Sequence, residues 1–339
     1  MTREAPPELR RDPVTGRWVV IAAARRGRPN DLRLGAGGSN TRTTSCPFCP
    51  GHEAETPPEV YADREPTTPA DAPGWSTRVV PNKYPALGPA DAAADPDGGL
   101  HERRDGLGAH EVIIESTEHG VELSQLPLEA VERLLRAGRE RMRDLGRNPG
   151  FRYVQFFKNH GPAAGASLEH GHAQLIALPI VPTAIEEEMS GAARYQERVG
   201  RCVYCDMLAE DPREGRRLIH RDDEMAVIAP WAPRFPYETW IVPARHESAF
   251  EGTGDASLRA LARALQETLA RLRRLLAAPD YNFIVHTAPC GSPRLPHYHW
   301  HVEIFPRVQP IAGFEWGTGF TINTMPPEEA AADLLHVEI

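Results

Sequence analysis

Apolar side chains recur at helical spacing in two places along the chain. Leu126, Leu128, Val131, Leu134, Leu135, Met142 and Leu145 follow a period near 3.6 residues in LPLEAVERLLRAGRERMRDLG, and Gly146 stands where the helix would end. The second stripe runs from about Ser257 to Leu276, SLRALARALQETLARLRRLL, with Pro279 just beyond it. Both predict amphipathic helices whose leucine face packs into a core. Residues 11–108 read differently. They are rich in Gly, Pro, Asp and Thr, and their apolar runs are short, such as Trp18–Ala22 and Thr77–Val80. This part predicts strands and long loops with little helix.

The two helices belong to a longer repeat. HEVIIESTEH, His110–His119, precedes the first, and YETWIVPARH, Tyr237–His246, precedes the second, so that Glu111 and Glu238 stand at equal spacing before His119 and His246. FRYVQFFKNHG and then HGHAQLIALP follow the first helix; YNFIVHTAPCG and then HWHVEIFP follow the second. A Cys-x-x-Cys opens each set, CPFC and CVYC. The chain therefore reads as two diverged copies of one unit, each running strand, strand, helix, strand, strand, with a His-x-His pair entering the last strand. The expected class is α+β: two tandem domains, 1–183 and 184–339, each an antiparallel sheet with a long helix. Between them IEEEMSGAARYQERV predicts a short helix and a linker, and PPEEAAADLLHVEI predicts a closing helix.

Composition narrows the functional classes. Lys and Arg total 38 against 47 Asp and Glu, a net charge of −9, so no overall basic excess draws the chain to nucleic acid. No apolar run approaches the roughly 18 residues of a membrane helix, and MTREAPPELRRDP lacks the apolar core of a signal peptide. The expectation is a cytoplasmic protein with neither nucleic-acid nor membrane partner. Four of the five cysteines lie in the two Cys-x-x-Cys pairs, which in a reducing compartment points to metal before disulfide.

Zinc favours four tetrahedral thiolate or imidazole ligands, and a Cys-x-x-Cys turn supplies two from one loop. The repeat nominates the other two. The first set is Cys46, Cys49, His119 and His170; the second is Cys202, Cys205, His246 and His299. Filled Cys2His2 shells leave no open position, so both are expected to be structural zinc sites. The second could hold iron, and within HYHWH either His297 or His301 is a rival to His299. Glu188, His286, His301 and Glu303 form a further His/carboxylate set of the kind that iron or zinc accepts.

Strand alternation places His170, His172 and Gln174 on one face. A metal-held His170 would fix His172 beside it, and a neutral imidazole is a competent nucleophile at phosphorus. Upstream, NHGPAAGAS offers Gly161, Gly165 and small residues whose N–H groups can approach phosphate, with the Ser167 hydroxyl as a further donor. Gln174 would hydrogen-bond the phosphoryl group under attack. In the second copy Glu303 replaces Gln174 and would repel phosphate, so only His172 is expected to react.

RDPVTGRWVVIA, RRGRPND, CPFC, VVPNKYPAL, NHGPAAGASLEHGHAQ, APWAPRFPYETWIVP and HYHWHVEIFPR together resemble the galactose-1-phosphate uridylyltransferase family, the branch of the histidine triad superfamily with two fused copies. The resemblance implies that His172 takes UMP from UDP-glucose as a uridylyl-histidine and passes it to galactose 1-phosphate. It implies that Gln174 and Ser167 contact phosphoryl oxygens, that Arg28, Asn82 and Asn159 lie along the nucleotide, and that zinc binds Cys46, Cys49, His119 and His170. It also implies a homodimer in which a segment near Gly313–Asn323 completes the partner's site. Leu168-Glu169 before His170, and Gly171 where the best-known members have proline, depart from the uridylyltransferase pattern. Those features, with CVYC and GFEWGTGFTIN, also resemble the ADP-glucose phosphorylase branch, whose members pass AMP to inorganic phosphate through the same histidine.

Overall fold

A computed structural model describes residues 7–23, 46–89, 100–101, 106–214, 216–292 and 294–339. In the N-terminal part, β1 (Glu8–Arg11) and β2 (Trp18–Ile21) form a hairpin; β3 (Tyr61–Arg64), β4 (Trp75–Pro81) and β5 (Ala109–Ile114) follow. Then come α1 (Leu128–Leu145), β6 (Tyr153–His160) and β7 (His172–Leu178). Two helices, α2 (Thr183–Val199) and α3 (Val203–Glu214), lead to β8 (Leu218–Arg221), β9 (Met225–Ile228) and β10 (Thr239–Pro243). The second long helix α4 (Asp255–Leu275), β11 (Tyr281–His286) and β12 (His301–Pro306) complete the repeat; α5 (Gly313–Thr318), β13 (Thr321–Asn323) and α6 (Pro327–Leu335) close the chain.

The strands of both copies form one ten-stranded sheet, ordered β3-β4-β5-β7-β6-β11-β12-β10-β9-β8, and every pairing in it is antiparallel. The seam between the copies is the β6–β11 pair, in which Asn282 lies opposite Asn159. A separate three-stranded sheet joins the β1–β2 hairpin to β13.

The leucine stripes of α1 and α4 pack against one face of the large sheet and against each other. Leu134, Leu135, Leu261 and Leu265 meet Phe156, Ala173, Leu175, Phe283, Val302 and Ile304, all buried. Gly138 permits the close approach: a Cβ there would lie 2.5 Å from the Phe156 ring. Since side chains alternate across a strand, Leu175 and Ala173 facing the helices send His172 and Gln174 to the opposite face. The core thus decides which face carries chemistry.

Two expectations are revised. The link between copies is two helices, not a short helix and linker, because Pro182 and the left-handed Gly200 bound a full helix and the CVYC pair opens the next one. The equal spacing of Glu111 and Glu238 is not a structural equivalence. Val112 lies opposite Gln174 and Trp240 opposite Glu303, so with Gln174 matched to Glu303 the residue matching Glu238 is His110. Glu111 turns to the helix face, where Arg141 of α1 grips it with two hydrogen bonds of 2.8 and 2.7 Å. Among the described residues no helix is long and apolar enough to cross a membrane.

Candidate active site

His172 begins β7, directly after Gly171. Its Nδ1 lies 2.8 Å from the carbonyl oxygen of His170, to which it donates, and this leaves the lone pair of the neutral ring on Nε2. Burial, reinforced by the Lys158 ammonium, lowers its pKa to about 4, so the imidazole is neutral near pH 7. The ring lies edge-on to Phe48, with centroids 5.4 Å apart.

Beneath the strand, Glu115 and Lys158 form a fully buried ion pair. Lys158 Nζ also donates to the His172 carbonyl at 3.2 Å, and the Glu115 N–H donates to the Gly171 carbonyl at 3.2 Å. A Cβ at residue 171 would lie 2.8 Å from Glu115 Oε2, so the pair and the glycine fit one another. Neither residue carried a sequence signal beyond its place in the repeat.

Gln174 shares the face of His172. Its Oε1 lies 2.8 Å from His110 Nε2, and Asn82 Nδ2 lies 3.1 Å from the same nitrogen. Asn159 is fixed from the second copy: Arg307 donates to Asn282 Oδ1 at 2.6 Å, and Asn282 Nδ2 donates to Asn159 Oδ1 at 2.7 Å and to the Ala164 carbonyl at 2.9 Å. Asn159 is therefore left with its amide N–H groups to offer. Nothing in the repeat pattern announced this reach of Arg307 and Asn282 across the seam.

The loop after β6 differs from its expected role. Gly161 and Gly165 have φ values of +80° and +88°, as their turns require. The N–H of Ala163 is held by Asp280 at 2.6 Å, and those of Ala164, Gly165 and Ala166 return to carbonyls of the loop itself. The amides from Ala163 to Ala166 are thus spent on the turn and do not form a phosphate nest. Ser167, exposed at the end of the loop, keeps its hydroxyl. Arg28 lies outside the described residues.

Both nominated Cys/His sets come together as clusters able to bind a metal, with ligand atoms within 4.8 Å of one another. In the first, Cys49 Sγ lies 3.5 Å from His119 Nδ1 and 3.6 Å from His170 Nδ1, and Cys46 Sγ lies 3.8 Å from His170 Nδ1. In the second, Cys205 Sγ lies 3.5 Å from His246 Nδ1 and 3.7 Å from His299 Nδ1. These are the edges of a tetrahedron: zinc with Zn–S of about 2.3 Å and Zn–N of about 2.0 Å places S and N about 3.5 Å apart. His170 Nε2 and His246 Nε2 are oriented by the carbonyls of Ser116 and Leu295, at 2.9 and 2.8 Å. His299, not His297 or His301, completes the second set.

The remaining set, Glu188, His286, His301 and Glu303, also converges within that range. His286 sits between two carboxylates, Nδ1 3.0 Å from Glu188 and Nε2 3.0 Å from Glu303, and against the opposing effect of burial they push its pKa up to about 10, so His286 and Arg234 already supply positive charge to this cluster. His301 matches His172 in register, but it is 0% exposed and stacked between Trp240 and His286, at 4.8 and 4.7 Å. No substrate phosphorus can reach it as packed.

These features define a chain of two fused histidine-triad units, in which His172 is 6% exposed and its counterpart His301 is not exposed at all. A family model described as HIT domain matches residues 213–307, and one described as "Domain of unknown function (DUF4931) N-terminal domain" matches 107–181. The chain is 35% identical to an ADP-glucose phosphorylase of Arabidopsis thaliana over 98% of its own length and 93% of that protein's. It is 28% identical to a galactose-1-phosphate uridylyltransferase of Thermotoga maritima, covering 98% and 99%. The crystal structure of an Arabidopsis thaliana ADP-glucose phosphorylase with bound ADP-glucose superposes with a TM-score of 0.83 at 33% identity, over 98% of this chain and all of that one. A uridylyltransferase structure gives 0.74 at 28% identity, over 97% of each chain. The chain belongs to the galactose-1-phosphate uridylyltransferase-like family of HIT-domain proteins, whose named members here are nucleotidyl-transferring enzymes.

Proposed function

We propose that the chain is an ADP-glucose phosphorylase working through a covalent nucleotidyl-histidine on His172. The observation that carries the chemistry is the His172 Nδ1 to His170 carbonyl hydrogen bond, which leaves Nε2 as the nucleophilic atom. Nε2 attacks the α-phosphorus of the nucleotide sugar. The P–N bond forms as the bond to the bridging oxygen breaks, and the electron pair leaves on glucose 1-phosphate. An oxygen of inorganic phosphate then attacks the same phosphorus, the P–N bond breaks, and ADP departs with neutral His172 restored.

Gln174 and Ser167 donate to the phosphoryl oxygens as charge builds on them, and Asn159 and Asn82 hold the nucleotide. Arg28 is proposed to share that role on the resemblance alone. Zinc is the proposed ion for both Cys2His2 clusters, where it would tie loops to the sheet and hold His170 in place. A homodimer is supported by the exposed Phe314 and Trp316 of α5, the latter 78% exposed. The chain divides functionally at about residue 183.

The adenine assignment rests on the greater similarity to the phosphorylase, in identity and in superposition. Transfer of UMP from UDP-glucose to galactose 1-phosphate is the second reading, favoured by the full-length likeness to the Thermotoga maritima enzyme. Initial rates decide between them. Phosphate-dependent release of glucose 1-phosphate and ADP from ADP-glucose, much faster than exchange between UDP-glucose and galactose 1-phosphate, is expected; the reverse order would assign the uridylyltransferase.

A further inference from the structure

We infer that His110 is the positioning residue that sets the amide of Gln174 for phosphoryl transfer. The Ala86 N–H points at His110 Nδ1 from 3.1 Å. A backbone N–H can only donate, so Nδ1 carries the lone pair and the proton of the neutral ring is on Nε2. That proton faces Gln174 Oε1 at 2.8 Å. Hence Oε1 is the accepting end of the Gln174 amide, and its NH2 group is the end left for the phosphoryl oxygens. The amide turned over would set N–H against N–H. Asn82 Nδ2 lies 3.1 Å from the same ring nitrogen, but Asn82 Oδ1 already accepts from the Tyr84 N–H at 2.8 Å. Its amide hydrogens find no acceptor on protonated Nε2 and remain available to a ligand.

The repeat supplies an independent observation. His110 and Gln174 match Glu238 and Glu303 in sheet register. In the second copy these positions are again coupled, through Arg234, which bonds both carboxylates. The fold thus places the two residues within reach of one another in each copy, and the first copy uses that reach to orient an uncharged donor toward an anion.

The inference rests on His172 as the nucleophile, and the experiment separates the two. Single-turnover formation of the nucleotidyl-histidine from ADP-glucose is measured for wild type, His110→Phe, His110→Gln, Gln174→Ala and the double variant His110→Phe/Gln174→Ala, with metal content and melting temperature recorded for each. His110→Phe keeps the ring's bulk and loses the donor. It is expected to slow the step about tenfold to a hundredfold, as misaimed transition-state donors do, with KM for the donor and metal content unchanged. His110→Gln, whose amide nitrogen can take the place of Nε2, is expected to recover most of the rate. In the Gln174→Ala background the His110→Phe change is expected to cost nothing further. Equal slowing with and without Gln174, or no slowing at all, would overturn the role of His110 while leaving the nucleophile intact. Absence of any adduct in the wild type, with ADP-glucose and with UDP-glucose alike, would overturn both.

Discussion

Lys158 donates from its Nζ to the backbone carbonyl of His172 at 3.2 Å while it is paired with Glu115, and each side chain of that pair is 1% exposed. The pair grips the strand carrying the nucleophile from beneath, because Glu115 also holds Gly171 through the backbone. Removing one partner leaves an unpaired buried charge, so Lys158→Met alone should destabilise the fold by about 3–5 kcal/mol. Replacing both, as Glu115→Leu/Lys158→Met, should come close to wild-type stability. If the pair positions His172, the double variant melts normally yet forms the adduct more slowly. Melting curves and single-turnover rates on the same samples check both halves.

Gly171 stands against the Glu115 carboxylate, which Lys158 prevents from swinging away. Gly171→Ala should cost about 1–3 kcal/mol, the usual range for overpacking. Thermal unfolding measures it, and the cost of Gly171→Ala should largely vanish in the Glu115→Ala/Lys158→Met background, where the carboxylate is gone and no buried charge is left unpaired.

The metal clusters should separate structure from chemistry. Cys46→Ala should lose one equivalent of bound metal and also lose adduct formation, because His170 both belongs to the cluster able to bind a metal and offers the carbonyl that sets the His172 tautomer. Cys205→Ala should lose one equivalent and melting temperature but keep the adduct rate. Metal analysis of the wild type should find two equivalents of zinc. A third equivalent would assign an ion to the carboxylate cluster at Glu188.

Much of this arrangement was legible in the sequence, for a physical reason. Metal ligands and a His-x-His pair are local motifs whose residue types are dictated by coordination chemistry, so duplication of CPFC and CVYC with their histidines located both clusters. The leucine stripes likewise foretold α1 and α4, because amphipathic period is a property of contiguous residues. Contacts across the sheet had no such signature. The reach of Arg307 and Asn282 to Asn159 depends on β11 pairing with β6, and the bond between His110 and Gln174 depends on strand register. Equal spacing of Glu111 and Glu238 suggested a correspondence that a one-residue shift in register removes. The small residues around Gly165 suggested a phosphate nest, yet their amides close the turn.

Asp280 anchors that turn from the second copy, holding the Ala163 N–H and lying where any side chain at residue 161 would fall. Asp280→Ala should raise KM for the nucleotide sugar about tenfold, equivalent to about 1.4 kcal/mol, with a smaller effect on the rate from the bound complex. Steady-state kinetics with and without the substitution test this.

His172 alone is expected to carry the nucleotide. Intact-protein mass spectrometry under non-acid conditions, after mixing with ADP-glucose in the absence of phosphate, tests it most directly. One added AMP per chain is predicted in the wild type and in His301→Gln, removed on adding phosphate and absent from folded, metal-replete His172→Gly. An adduct that forms on His172→Gly, or turnover by that variant at the wild-type rate, would contradict the account.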